Sequence, residues 1–136
     1  TGEANFEKFE YIKDEKYLSF GQVDPKNMAV VMSKADIVIA RSGANTVSEL
    51  AALKKPAILI PIPWTYNDEQ QKNAKYMESL GLARILPQKE LTAQKLLSEI
   101  EKLINDYPKV VKITEDLVSE DLHASEKIVD ILIDMI

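Results

Sequence analysis

Asp36-Ile-Val-Ile-Ala-Arg-Ser-Gly-Ala-Asn-Thr-Val-Ser-Glu-Leu-Ala-Ala-Leu-Lys-Lys-Pro-Ala-Ile-Leu-Ile60 decides the fold. Its first part, Asp36–Ala40, is a nearly continuous apolar run, as expected of a strand covered on both faces. Arg41–Asn45 is a turn, Thr46–Leu53 reads as a helix, and Pro56–Ile60 is a second buried strand. Strand, helix and strand in that order predict a parallel pair joined by a crossover.

The pattern continues outward in both directions. Pro61–Asn67 is a loop holding Trp64, the only tryptophan. Asp68–Leu80 reads as a helix stopped by Gly81, a natural C-cap, and Ala83–Leu86 as a short strand. Thr92–Asn105 is a helix with Leu96, Leu97, Ile100, Leu103 and Ile104 on its apolar stripe. Pro108 is expected to begin a further helix, and Leu122–Ile136 to form the last, with Ile128, Ile131, Leu132 and Met135. Upstream, Asn5–Lys13 reads as a short helix and Tyr17–Phe20 as a strand ending at Gly21. Asp24-Pro25 is a helix start, and Met28, Val31 and Met32 share a face through Lys34. The expected fold is α/β, a Rossmann-like parallel sheet with flanking helices, with residues 1–136 forming one domain.

Composition narrows the function classes. The 136 residues are 46% hydrophobic and 29% charged, which is ordinary for a globular chain. A net charge of −5 argues against a broad nucleic-acid footprint and against an anionic membrane surface. The absence of cysteine excludes disulfides, thiolate metal sites and cysteine nucleophiles. Apolar runs such as Ala57–Pro63 are too short to span a bilayer. The four glycines are isolated, so neither G-x-G-x-x-G nor a Walker A sequence is present. The single histidine, His123, reads as a surface residue, and Glu120-Asp121 as a solvated face. No pattern fixes an oligomeric state. Thr1-Gly2 reads as the tail of a strand and loop, so a piece of a longer protein is expected.

In a parallel sheet, ligands bind beyond the carboxyl ends of the strands. That rule selects Arg41–Glu49 and Pro61–Gln71, each leaving a strand and entering a helix, where free N–H groups suit a phosphate. Gly43 would let the backbone turn tightly and approach a ligand. Arg41 suits a phosphate or a surface ion pair. Glu49 can accept from the vicinal hydroxyls of a ribose, or can close a capping box with Thr46. Gln70 and Gln71 suit sugar hydroxyls, while Asn67 with Gln70 makes a second capping box. Trp64 and Tyr66 can stack on a sugar or base, or anchor the loop to the core.

Ala35–Glu49, Lys55–Pro61 and Asn67–Ala74, in this order and spacing, resemble the C-terminal half of the MurG family of UDP-N-acetylglucosamine transferases, glycosyltransferase family 28. Glu90–Leu97 resembles the family's next helix start. The resemblance covers roughly residues 17 to 105 and implies the donor-binding half of a GT-B enzyme. Its first strand and Gly-rich phosphate loop are expected to be missing, along with the N-terminal domain that takes the lipid-linked muramyl-pentapeptide and carries the catalytic base. By the same resemblance, Glu49 holds the ribose. Arg41, Ser42, Gly43, Ala44, Asn45 and Thr46 line the diphosphate and sugar, Gln70 and Gln71 reach the N-acetylglucosamine, and Gln22 and Val23 face the uracil. Glu69 stands where many members carry histidine.

Such enzymes invert the anomeric centre without a metal or other cofactor. The resemblance therefore implies no catalytic residue in this chain, no metal and no nucleic-acid partner. It implies a cytoplasmic location for the whole protein, peripheral on the inner face of the plasma membrane. Two further relatives fit the same residues: a glycolipid synthase, and the donor subunit of the split dolichol-linked transferase. A non-catalytic interaction module of the same fold is the alternative of another class.

Overall fold

The computed structural model describes residues 3–12, 14–117 and 124–134. Thr1, Gly2, Lys13, Glu120, Asp121, Leu122, His123 and Met135 lie outside them. The chain forms two compact units, Thr1–Val31 and Met32–Ile136.

In the first unit, helix α1 spans only Glu3–Phe6. Turn bonds such as Phe9 N–H to Phe6 O (2.9 Å) carry the chain onward, so the longer helix expected over Asn5–Lys13 does not form. Nor is Tyr17–Phe20 a strand. It has no ladder partner among the described residues beyond an isolated bridge between Asp14 and Tyr17. Leu18 and Phe20 are exposed accordingly. Gln22 and Val23 precede helix α2 (Pro25–Lys34) and line a shallow cavity with Leu18, Phe20 and Met28. Asp24 starts α2 as expected, its carboxylate accepting from Lys26 N–H at 2.9 Å. α2 runs across the boundary between the two units.

The second unit is built on strands β1 (Val38–Ala40), β2 (Ala57–Leu59) and β3 (Ala83–Ile85), parallel and in that spatial order. Val38 pairs with Ala57, and Ala57 with Ala83. Helix α3 (Ala44–Ala52) makes the first crossover and α4 (Glu69–Ser79) the second. β2 is central and wholly buried. β1 departs from the expectation of cover on both faces: Ile39 is 45% exposed, and β1 is an edge strand among the described residues.

Leu50, Ile58, Leu59, Met77, Leu82 and Leu86 form the fully buried centre. Each contributes about 1.5–3 kcal/mol by leaving water. α4 ends in a Schellman turn. Gly81 N–H donates to Glu78 O and Leu82 N–H to Met77 O, with Gly81 at φ +74°. α3 ends the same way, with Lys54 at φ +53° in the glycine position and its ammonium on Thr114 O at 2.8 Å.

Helix α5 (Ala93–Asp116) is capped by Thr92, whose hydroxyl accepts from Lys95 N–H at 3.1 Å. It runs unbroken through Pro108, where a new helix was expected. Pro108 withholds one backbone donor, but Leu103 and Val110, on either side, are both buried in the core. Packing there outweighs one missing bond. Also on α5, the buried Glu99 accepts from Arg84 at 2.8 Å and Lys102 at 2.7 Å. Helix α6 (Ala124–Asp134) leaves Ile128, Ile131 and Leu132 exposed. Among the described residues no helix is long and apolar enough to cross a membrane.

Candidate functional site

Because β1, β2 and β3 are parallel, the loops leaving β1 and β2 emerge at the same end of the sheet. The first is Arg41-Ser-Gly43, entering α3. The second runs from Ile60 to Asp68, entering α4.

Helix α3 begins at Ala44, two residues before the expected start. Its N-cap is Gly43, with φ −65° and ψ 151° and no side-chain cap. Thr46 is therefore the third helical residue, and the capping box with Glu49 does not form. The N–H groups of Ala44, Asn45 and Thr46 precede any intrahelical acceptor, so the helix start presents free donors and the positive end of its dipole. The extended torsions of Gly43 suit any residue, so the turn does not require glycine. A Cβ there would meet no atom within 4 Å, so the space beside Gly43 is open. Glu49 is exposed, and its carboxylate has no hydrogen-bond or ion-pair partner among the described residues.

The second junction is also not a capping box. Asn67 and Asp68 both adopt left-handed torsions, φ 52° and 53°, and Asp68 caps α4 without a side-chain bond. Asn and Asp tolerate this region best among residues other than glycine. Gln70 turns back instead: its Oε1 accepts from Ile62 N–H at 3.0 Å. That bond fixes the amide orientation and leaves the Nε2 donors without a protein partner among the described residues. Gln71 is half-buried on the same turn. Trp64 and Tyr66 are 78% and 92% exposed, so neither anchors the loop to the core.

Three hydrogen bonds tie the junctions together. Ser42 Oγ donates to Gln70 O at 2.8 Å. Asn73 Nδ2 donates to Ser42 O at 3.1 Å. The Arg41 guanidinium donates to Ile60 O at 2.9 Å, which makes it a bracket on the end of β2 and not a surface ion pair. Ser42 is completely buried, so its hydroxyl works inside the protein. Arg41 and Ser42 are thus joined to Gln70, Asn73 and the end of β2, while Gln22 and Val23 belong to the first unit. Asn73, which sequence reasoning did not single out, is as central as Ser42. Its only sequence signal is its place one turn after Gln70 on α4.

Residues 1–127 match the glycosyltransferase family 28 C-terminal domain. The chain is 39% identical over 107 residues to the UDP-N-acetylglucosamine--N-acetylmuramyl-(pentapeptide) pyrophosphoryl-undecaprenol N-acetylglucosamine transferase of Bacillus cytotoxicus, covering 76% of this chain and 29% of that one. It is 36% identical over 113 residues to the enzyme of the same name from Syntrophus aciditrophicus, covering 82% and 31%. Among solved structures, the crystal structure of Acinetobacter baumannii MurG superposes with a TM-score of 0.73 at 30% identity, covering 96% of this chain and 38% of that one. The chain therefore spans about a third of the length of the relatives it matches.

Proposed function

The chain belongs to the glycosyltransferase family 28 C-terminal domain family, of the MurG kind, and on that premise we propose that it is the half of an inverting transferase that grips UDP-N-acetylglucosamine. The convergence of the two loop-to-helix junctions, tied by Ser42 and Gln70, carries this reading.

The diphosphate sits at the uncapped start of α3, where the N–H groups of Ala44, Asn45 and Thr46 and the helix dipole meet negative charge. The space beside Gly43 admits it. The Glu49 carboxylate, without a partner among the described residues, accepts from the two ribose hydroxyls. The Gln70 amide donors and the Gln71 side chain take the hydroxyls of the sugar. Arg41 and Ser42 act mainly by holding the two loops in register. The domain supplies donor binding and orientation, and the remainder of the protein binds the lipid-linked acceptor and carries the base. The transfer to a lipid-linked muramyl-pentapeptide places the whole protein on the cytoplasmic face of the membrane. As the resemblance implies, the reaction runs without a metal.

The test is calorimetric titration of the full-length protein with UDP and UDP-N-acetylglucosamine, wild type against Glu49→Ala. Glu49→Ala is expected to weaken both ligands by about tenfold or more, the scale of a charge-assisted hydrogen-bond pair. Equal affinity in the two proteins would remove the ribose assignment.

A further inference from the structure

Trp64 and Tyr66 stand further into solvent than any other large apolar side chain described in the second unit. The loop that carries them is held in place. Besides the Gln70 to Ile62 bond, Thr65 Oγ1 donates to Ile62 O at 3.4 Å, and Asp68 N–H donates to Thr65 O at 3.3 Å. Side chains this exposed keep their ring faces available to a ligand.

Beside them lies a cleft lined by Tyr66, Asn67, Glu69, Lys72 and Asn73. One wall is aromatic, and the rest offers two amides, a carboxylate and an ammonium. A pyranose has the matching chemistry: one C–H face that stacks on an aromatic ring, and a rim of hydroxyls that both donate and accept. A membrane surface fits less well, because Asp68 and Glu69 adjoin the aromatic pair and repel anionic headgroups. Asn73 also bonds to Ser42, so the cleft adjoins the junction assigned to the donor.

We propose that Trp64 and Tyr66, with this cleft, form a binding subsite for the acceptor saccharide, stacking its pyranose beside the donor sugar. The proposal rests on the transferase reading above and adds a substrate contact from this half of the enzyme.

The test uses the full-length protein and the variants Trp64→Ala, Tyr66→Ala and Trp64→Phe. Each alanine is expected to raise the acceptor KM about tenfold while the UDP-N-acetylglucosamine KM stays put, and the phenylalanine to restore the acceptor KM. A raised donor KM with unchanged acceptor KM, or no change in either, overturns the subsite. A second readout needs no turnover. The fluorescence difference between wild type and Trp64→Phe, titrated with methyl N-acetylmuramoside, should shift, whereas UDP alone should leave it unchanged. No shift at millimolar glycoside in a protein that binds UDP defeats the subsite and spares the donor reading. A shift in a protein whose UDP affinity ignores Glu49→Ala does the reverse.

Discussion

The Ser42 hydroxyl donates a 2.8 Å hydrogen bond to the backbone carbonyl of Gln70, 28 residues away in sequence. Ser42 closes the loop after β1, and Gln70 lies in the first turn of the helix after β2. This one bond, returned by Asn73 to the Ser42 carbonyl, fixes the distance between the start of α3 and the start of α4. A ligand bridging the two helix starts then meets donors already in place, so little ordering cost falls on binding.

Ser42→Ala is expected to lower unfolding stability by about 1 kcal/mol, the net value of a typical internal hydrogen bond. The Gln70 carbonyl keeps its place in the α4 ladder, so the loss should not be larger. UDP-sugar affinity should fall as well, because the two junctions lose their tie. Denaturant melts and calorimetry on the same samples check both. Unchanged affinity alongside reduced stability would show that the bond serves folding alone.

Gly43→Ala separates binding from folding. The Gly43 torsions suit alanine and the Cβ meets no protein atom. Stability should therefore hold or rise by about 0.4–1 kcal/mol, through a less flexible unfolded chain. The methyl would stand where the diphosphate approaches, so UDP affinity should drop. A variant that melts no lower and binds UDP as wild type does would place the diphosphate elsewhere.

Much of this arrangement was readable in the sequence. The Asp36–Ile60 alternation of strand, turn, helix and strand is local, and so is the Gly81 stop, because a left-handed C-cap selects glycine. Of the stretches that carry the resemblance to the family, Arg41, Ser42, Gln70 and Asn73 meet beyond the carboxyl ends of β1 and β2. The two capping boxes were misread because their residue types are right while the register is set elsewhere. Gly43, with no side chain to cap, begins α3, and Gln70 is drawn back to Ile62 by a bond that no local pattern announces. Pro108 misled for a similar reason, since burial of Leu103 and Val110 is a tertiary fact. The Ser42, Asn73 and Gln70 ties connect distant segments, and one chain read alone carries no signal for such pairs.

Gly81→Ala is expected to destabilise the protein without touching UDP affinity. The left-handed torsion costs a residue with a Cβ about 1–2 kcal/mol. The new methyl would also stand 2.9 Å from Ile113 Cδ1. Ile113→Val deletes that atom, so the double variant should recover the steric part and keep the torsional part. A double-mutant cycle measures the coupling, and a coupling of zero would mean that Ile113 moves aside freely.

Glu99 makes the stability of the second unit depend on acid. The hydrogen bonds from Lys102 and Arg84 hold its carboxyl below the usual range, against a smaller opposing effect of burial. A depressed folded-state pKa means that the unfolded chain takes up the proton first as pH falls. The stabilisation is therefore complete above the ordinary glutamate value, about 4.3, and is lost as pH drops through the lower folded value. Glu99→Gln keeps the side-chain shape but removes the charge. It should be less stable than wild type at neutral pH, and the gap should narrow as pH falls below about 4.3, where the glutamate of the unfolded chain takes up its proton before the folded carboxylate does. Urea midpoints of both proteins across that range test this. A gap that stays constant with pH would show that Glu99 acts through packing and neutral hydrogen bonding, without a contribution from its charge.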